Sequence, residues 1–224
     1  MKQELFDLAN WTIKTAKSSG ANDCRITISN ERFVEISYRD RKPENIKEAS
    51  TRSMQIEVFA NSRYSQQITS DFRRDALENA VAMTKLLAED PFRTLPDPKY
   101  YQGRAAIDLG LYDPDYKNLT PQGRHDFVKA IEAACLAKAG DKVISASATG
   151  YDSNEEVLIM ASNGFDGYMD LSIFYGGAEV SVKDEGDRRP QEYAVAVALS
   201  RKALPQPADI GEDAARRTLA PVSY

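Results

Sequence analysis

A single histidine, His125, limits what imidazole chemistry this chain can do. A catalytic zinc site usually takes at least two His or Cys ligands, with a carboxylate and an open position, and one His cannot make a His-Glu-x-x-His pair. Flanked by Arg124 and Asp126 just after a helix start, His125 reads as a solvent-exposed helical side chain. A Ser-His-Asp triad would have to use the same imidazole, and no Gly-x-Ser-x-Gly turn is present to carry a nucleophile. Cys24 and Cys135 would need that base too. Both fall on apolar faces, where a thiol behaves as a small hydrophobe, so they read as two separate core thiols of a reducing compartment.

Phosphate chemistry is equally unsupported. The chain has neither Gly-x-x-x-x-Gly-Lys-Ser/Thr nor Gly-x-Gly-x-x-Gly. Gly176-Gly177 lies inside a strand-like run, as expected of a bulge or a close approach of neighbours. Asp108, Asp113 and Asp115 lack the Gly-centred loop and terminal Glu of a calcium hand, and Pro114 interrupts them. Turn chemistry accounts for them, as it does for Asp184-Glu185-Gly186-Asp187 and Asn163-Gly164. No catalytic, metal-binding or cofactor-binding residue emerges, and the peptide-binding residues stay unassigned.

The elements around these residues follow from periodicity. Leu5, Leu8, Ile13 and Ala16, with Ala9 and Thr12, mark one face of a helix that Gly20 can stop. Strict alternation then predicts strands over Cys24–Ser29 and Val34–Arg39, joined by a turn at Asn30-Glu31-Arg32. Further strands are expected at Met54–Ala60 and Tyr64–Thr69, with a turn at Asn61-Ser62-Arg63. A helix capped by Ser70 or Asp71 follows, its inner face formed by Leu77, Ala80, Val81, Thr84 and Ala88. From Glu89 to Tyr116, repeated prolines forbid regular structure; an ordered linker is expected, docked through Tyr100, Tyr101, Leu109, Leu111 and Tyr112.

Thr120-Pro121 opens a second unit, since Thr caps well and Pro suits the first helical position. Phe127, Ala130, Ile131, Ala134 and Cys135 form the helix stripe, and Gly140 ends it. Strands are expected at Val143–Thr149, Glu156–Ala161, Tyr168–Lys183 and Glu192–Arg201, then a helix over Ala208–Leu219 with Ile210, Ala214 and Thr218 inward. The fold class is α+β: two helix-and-antiparallel/mixed-sheet units, each roughly α-β-β-β-β-α. An internal duplication would give this shared order, and so would two independent helix-over-sheet units.

Composition narrows the setting. A formal net charge of -5 gives no general attraction for nucleic acid, which needs clustered basic surface. Arg73-Arg74, Arg188-Arg189 and Arg216-Arg217 are too short for a basic tract and read as solvated faces or ion pairs. No run approaches the roughly 18 apolar residues of a membrane span, and the N-terminus turns amphipathic at once. The expectation is a cytoplasmic protein with neither nucleic-acid nor membrane partners.

Several stretches resemble the PmbA/TldD family, the so-called modulators of DNA gyrase. Glu89-Asp90-Pro91-Phe92-Arg93-Thr94-Leu95-Pro96-Asp97-Pro98 resembles the linker after that family's first domain, and Ile107-Asp108-Leu109-Gly110-Leu111-Tyr112-Asp113-Pro114 the segment that follows. Ser162-Asn163-Gly164-Phe165 with Gly167-Tyr168 is similar to its Ser-Asn-Gly-Phe turn, and Pro207–Ala215, with Ile210-Gly211 and Ala214-Ala215, to its second-domain closing helix. The Gly20-Ala21 turn and the Thr69-Ser70-Asp71-Phe72 helix start fit as well. Asn61-Ser62-Arg63, where the family often has Gly, and Pro190 within Asp184–Gln191 depart from the pattern.

The resemblance, closest to the PmbA (TldE) branch, implies a first domain over 1–90, a Pro-rich linker over 91–118 and a central domain over 119–224. It implies a larger C-terminal metallopeptidase-type domain absent from this chain, which ends at Tyr224 about where that domain would begin. In TldD-like members that domain carries a His-Glu-x-x-x-His motif; the PmbA branch generally lacks it, and nothing here matches it. The implied role is the N-terminal part of a subunit of a cytosolic peptide-degrading metallopeptidase, giving scaffold and chamber walls. Zinc would belong to the C-terminal domain or a partner subunit. The implied partners are a homologous TldD-type subunit or a second copy, and unfolded peptide. A catalytic TldD-type enzyme seen without its active domain, and a non-enzymatic peptide-binding or assembly module, are the alternatives.

Overall fold

Two hairpin turns without glycine set the lengths of the strands. In the computed structural model, which describes residues 2–83, 88–103 and 107–222, helix α1 (Lys2–Ser18) leads into β1 (Asp23–Arg39), a single strand. The predicted turn at Asn30-Glu31-Arg32 does not occur. Cys24, Ile26 and Ile28, then Val34, Ile36 and Tyr38, are all buried even-numbered positions, so the alternation never changes phase, as one unbroken strand requires. The chain turns instead at Asp40 and Arg41, with φ of 52° and 62°. Such left-handed pairs favour Asn and Gly because most side chains clash there. The Arg41 N–H donates to Glu132 Oε1 at 2.9 Å, which holds the turn without a glycine.

Strand β2 (Lys42–Ala60) extends the predicted Met54–Ala60 run backward through mostly polar, mostly exposed residues that carry no alternation signal. It turns at Asn61 and Ser62, φ 50° and 59°, into β3 (Arg63–Thr69), pairing Ala60 with Arg63. The Asn61 N–H donates to Asn22 Oδ1 at 2.8 Å. Helix α2 (Arg74–Met83) buries Leu77, Ala80 and Val81; Thr84, like Tyr224, lies outside the described residues. Ala88 is not on the helix. It opens the short strand β4 (Ala88–Glu89), which pairs with Arg63 and Tyr64 of β3.

Helix α3 (Pro121–Ala139) begins as expected: Thr120 Oγ1 accepts from the Gly123 N–H at 3.0 Å, and Gly140 at φ 57° ends it. Strand β5 (Val143–Ala161) merges two predicted strands, and β6 (Asp166–Val182), β7 (Gln191–Ala198) and α4 (Pro207–Leu219) follow. The four predicted strands of each half thus become three, with the short β4 added in the first half, within an α+β fold whose strands hydrogen-bond in the order β4-β3-β2-β1-β5-β6-β7. Among the described residues, no helix is long and apolar enough to cross a membrane.

The chain divides into two compact units, each drawn from three segments. Unit 1 comprises Met1–Glu31, Ser50–Leu109 and Glu155–Asp170. Its core joins Leu5 and Ala9 of α1, Leu77 and Val81 of α2, and Ile26 and Ile56 of the strands. Of the aromatic and leucine side chains expected to dock between Glu89 and Tyr116, Tyr100 and Leu109 remain exposed. Tyr101 packs edge-on against Phe165 and donates to the Asn163 carbonyl at 3.2 Å.

Unit 2 comprises Arg32–Ala49, Gly110–Asn154 and Leu171–Tyr224. Its core gathers Val34 and Ile36, Phe127 and Ile131 of α3, Phe174 and Val180 of β6, and Ile210 of α4. Gly176 pairs in register with Ala196, so it is not a bulge. A Cβ there would sit 2.9 Å from Phe127 Cζ and 3.0 Å from Ile210 Cδ1, so the glycine lets both helices lie close on the sheet.

Candidate functional site

The Thr120 cap fixes the start of α3, and helical spacing then puts Arg124 on the same face as Phe127, Ile131 and Cys135. A charge on that stripe must find a partner, because burying it alone is costly. Arg124 finds Asp152 of β5: Nε and Nη2 donate to the two carboxylate oxygens at 2.6 and 2.8 Å, with both side chains about 5% exposed (6% and 5%). Nη1 donates to the Leu119 carbonyl at 3.1 Å. The Asp152 hydrogen bonds hold the guanidinium further into its charged form. A fork so saturated binds its own carboxylate and has no proton to trade.

Around this pair lies a cavity of only about 10 Å³, lined in part by Val34, Ile36, Tyr151, Tyr175 and Arg201, room for roughly one water molecule. Tyr116 is buried beside it; among the described residues its hydroxyl makes no well-formed hydrogen bond, and burial, then the Asp152 charge, pushes its phenol well above the usual tyrosine range. Arg201 is half-buried, with its guanidinium 3.8 Å over the Phe127 ring. Asp113 is buried at the edge of the cluster. It accepts from the Asp115 N–H (2.9 Å), the Ser200 hydroxyl (3.0 Å) and the Arg201 N–H (2.9 Å). Burial alone would raise its pKa, but these donors outweigh it and leave it lowered.

His125 is half-buried rather than solvent-exposed. Its Nδ1 lies 2.9 Å from the Tyr38 hydroxyl, a contact the helix position could not disclose because Tyr38 belongs to β1. Cys24 and Cys135 are fully buried free thiols, one in the core of each unit. Burial, with Glu57 and Glu132 adding second, pushes both up to about 12, where almost no thiolate exists at neutral pH. Four of the six arginines in the Arg-Arg pairs form ion pairs, Arg73 with Asp71, Arg188 with Asp184, and Arg216 and Arg217 with Asp213, while Arg74 lies over the Trp11 ring and Arg189 donates to the Gly186 and Arg188 carbonyls. Asp115 pairs with Lys202 at 2.7 Å. Among the described residues no three His, Cys, Asp or Glu side chains converge to hold a metal.

Unit 1 has a comparable polar cluster. Glu57, 2% exposed, takes a two-point contact from Arg25 and a 2.7 Å hydrogen bond from the Tyr64 hydroxyl, while Arg93 lies over the Tyr64 ring. This cluster too is satisfied internally.

The open chemistry of unit 2 is on β7. Ala194 faces the core and is buried, with Ala196 and Ala198 packed beside it. The alternate residues Tyr193, Val195, Val197 and, just beyond the strand, Leu199 are 59%, 51%, 64% and 39% exposed. β7 stands last in the strand order, so among the described residues one of its hydrogen-bonding edges has no strand beside it. Solvent-exposed edges normally carry Lys, Pro or a bulge to prevent pairing; between Gln191 and Ala198 the only charge is Glu192.

Residues 114–221 match the family model of the PmbA/TldA metallopeptidase central domain. No match is found among curated proteins. Among solved structures, a candidate modulator of DNA gyrase from Bacteroides thetaiotaomicron is similar at 26% identity and a TM-score of 0.87 over 96% of this chain and 49% of that one. One from Thermotoga maritima shares the fold at 13% identity and a TM-score of 0.82, covering 97% of this chain and 48% of that one. TldE from Thermococcus kodakarensis shares it at 18% identity and a TM-score of 0.71, covering 96% and 47%. The chain thus spans about half the length of the solved structures it matches. The central-domain match over residues 114–221 and the likeness at 26% identity over nearly the whole chain are both consistent with the PmbA/TldD family.

Proposed function

We propose that this chain is the scaffold and peptide-holding part of a PmbA/TldD-type subunit, of the PmbA (TldE) branch, in a cytosolic metallopeptidase whose catalytic zinc is held elsewhere in the assembly. The observation that carries the reading is the β7 edge. An extended, unfolded peptide can add to an open strand through its backbone, so affinity comes from main-chain hydrogen bonds and depends little on sequence. Tyr193, Val195 and Val197 then meet alternate side chains of the bound peptide. Such a role needs no cluster of reactive side chains, in keeping with charges that are paired off at Arg124–Asp152 and Arg25–Glu57.

Native mass spectrometry of the endogenous protein, with metal analysis of the same sample, tests this. The expected species contains this protein and a second, zinc-bearing subunit of the same family, and binds unfolded peptide. A metal-free species without a partner that still binds peptide would instead make it a non-enzymatic binding module. The isolated 224-residue chain is expected to cleave no peptide with or without added zinc.

A further inference from the structure

The Arg201 guanidinium has no acid to answer it. Its backbone N–H is taken by Asp113 and its guanidinium face by the Phe127 ring, but the guanidinium makes no hydrogen bond or ion pair among the described residues. The nearest charges do not neutralise it: Asp152 is committed to both nitrogens of the Arg124 fork, and Arg124 itself repels. The Arg201 guanidinium thus sits half-buried with no carboxylate bound to it among the described residues.

Arg201 and Phe127 also form part of the wall of an open groove of about 410 Å³, within the size range of small-ligand sites. Its other walls include Leu204, Pro205 and Pro207. The prolines have no N–H to offer, so that side suits an apolar group. Of the other charged groups on the groove, Lys202 is bound by Asp115, whereas Asp126 takes a 2.7 Å hydrogen bond from the neutral Gln122 amide and keeps its negative charge.

We propose that this groove binds the free C-terminal carboxylate of a peptide whose last residue is apolar, with Arg201 as its anchor. Guanidinium and carboxylate match as a planar two-point pair. An α-carboxylate carries its side chain on the adjacent carbon, which places an apolar group against Leu204 and the prolines. A Glu or Asp side chain would instead bring the polar peptide backbone against them. The site is independent of β7: it recognises a charge at a chain end, and it would stand if the strand edge held no peptide.

Isothermal titration of the purified chain with N-acetyl-Ala-Ala-Leu, its C-terminal amide, and N-acetyl-Ala-Ala-Glu amide tests the proposal. The free acid is expected to bind about tenfold or more tighter than either amide, the scale of one charge-assisted contact. Arg201→Gln lowers the acid to the level of the amides, whereas Lys202→Gln, at an exposed ion pair, changes it by less than about twofold. Because Arg201→Gln also uncovers Phe127, the Arg201 Nε–H resonance of the unaltered protein supplies a second readout; it shifts with the acid and not with the amide. Equal binding of acid and amide, no binding, or an unmoved Nε–H resonance overturns the proposal. Tight binding of the Glu amide overturns its restriction to chain ends.

Discussion

The Cys135 thiol donates to the Gly211 carbonyl oxygen at 3.3 Å, across the crossing of α3 and α4. That contact exists because residue 211 has no side chain: a Cβ there would lie 2.2 Å from the Ile131 carbonyl oxygen and 2.9 Å from Ala134 Cβ. Backbone cannot yield as a flexible side chain does. Gly211→Ala is therefore expected to destabilise the protein by about 3 kcal/mol through overpacking, read as a lowered urea midpoint at unchanged slope.

Asp152→Ala leaves the Arg124 guanidinium buried without its carboxylate, and the expected loss is about 3–5 kcal/mol. Replacing both partners together, Arg124→Met with Asp152→Leu, removes the orphaned charge and should recover most of that loss. A double-mutant cycle by thermal denaturation checks it; additive losses would mean that the two residues do not act as a pair.

Asp113 makes stability depend on acid. Its folded pKa lies below the ordinary value of 3.8, so as pH falls the unfolded chain takes up the proton first. The stabilisation is complete above that ordinary value and disappears as pH falls through the folded one. Asp113→Asn is expected to cost about 1–3 kcal/mol at neutral pH by weakening three accepted hydrogen bonds. It should also flatten the stability profile on the acid side, as followed by urea unfolding between neutral pH and strong acid.

Neither thiol should react in the folded state. With both cysteines fully buried and pushed up to about 12, a chromogenic disulfide reagent at mildly alkaline pH is expected to release nothing until denaturant is added, and then to titrate both thiols. Fast native reaction of either would contradict the burial of its helix or strand face.

The exposed face of β7 can be altered without touching the core. Val195→Lys combined with Val197→Lys is expected to change stability by less than about 0.5 kcal/mol, as surface substitutions do. The same variant should lose extended-peptide binding, measured by fluorescence anisotropy, and should raise the temperature at which light scattering sets in, because charged edge strands resist pairing.

Much of the frame could be read from the residues. The caps at Thr120 and Gly140, the inner faces of α1 and α4, and the turn at Asn163-Gly164 all follow local rules. At Asn30-Glu31-Arg32 three polar residues resemble punctuation, but the unbroken phase from Cys24 to Tyr38 is the stronger signal. The turn at Asp40-Arg41 is illegible because the glycine that would mark it is replaced by a hydrogen bond from the Arg41 N–H to Glu132, far along the chain. Arg124 could have been found, since it interrupts the spacing of Phe127, Ile131 and Cys135. Its partner Asp152 could not, because only strand pairing brings β5 beneath that turn of helix. The Tyr193–Leu199 alternation was visible as a strand, but which of its faces meets solvent depends on where the helices lie.

Each unit is collected from three separated stretches of chain, and this dictates an order of events during synthesis. Unit 1 waits for Glu155–Asp170, and unit 2 combines Arg32–Ala49 with residues far downstream. Neither can close while the chain is half made, so exposed strand segments must persist in the emerging polypeptide and pair late, over long sequence separations. Residues 114–221, which the family model delimits, include the Glu155–Asp170 stretch of unit 1 and omit the Arg32–Ala49 stretch of unit 2. A fragment cut at those limits would inherit an orphaned piece of one unit and an incomplete copy of the other, and would be a poor autonomous folder.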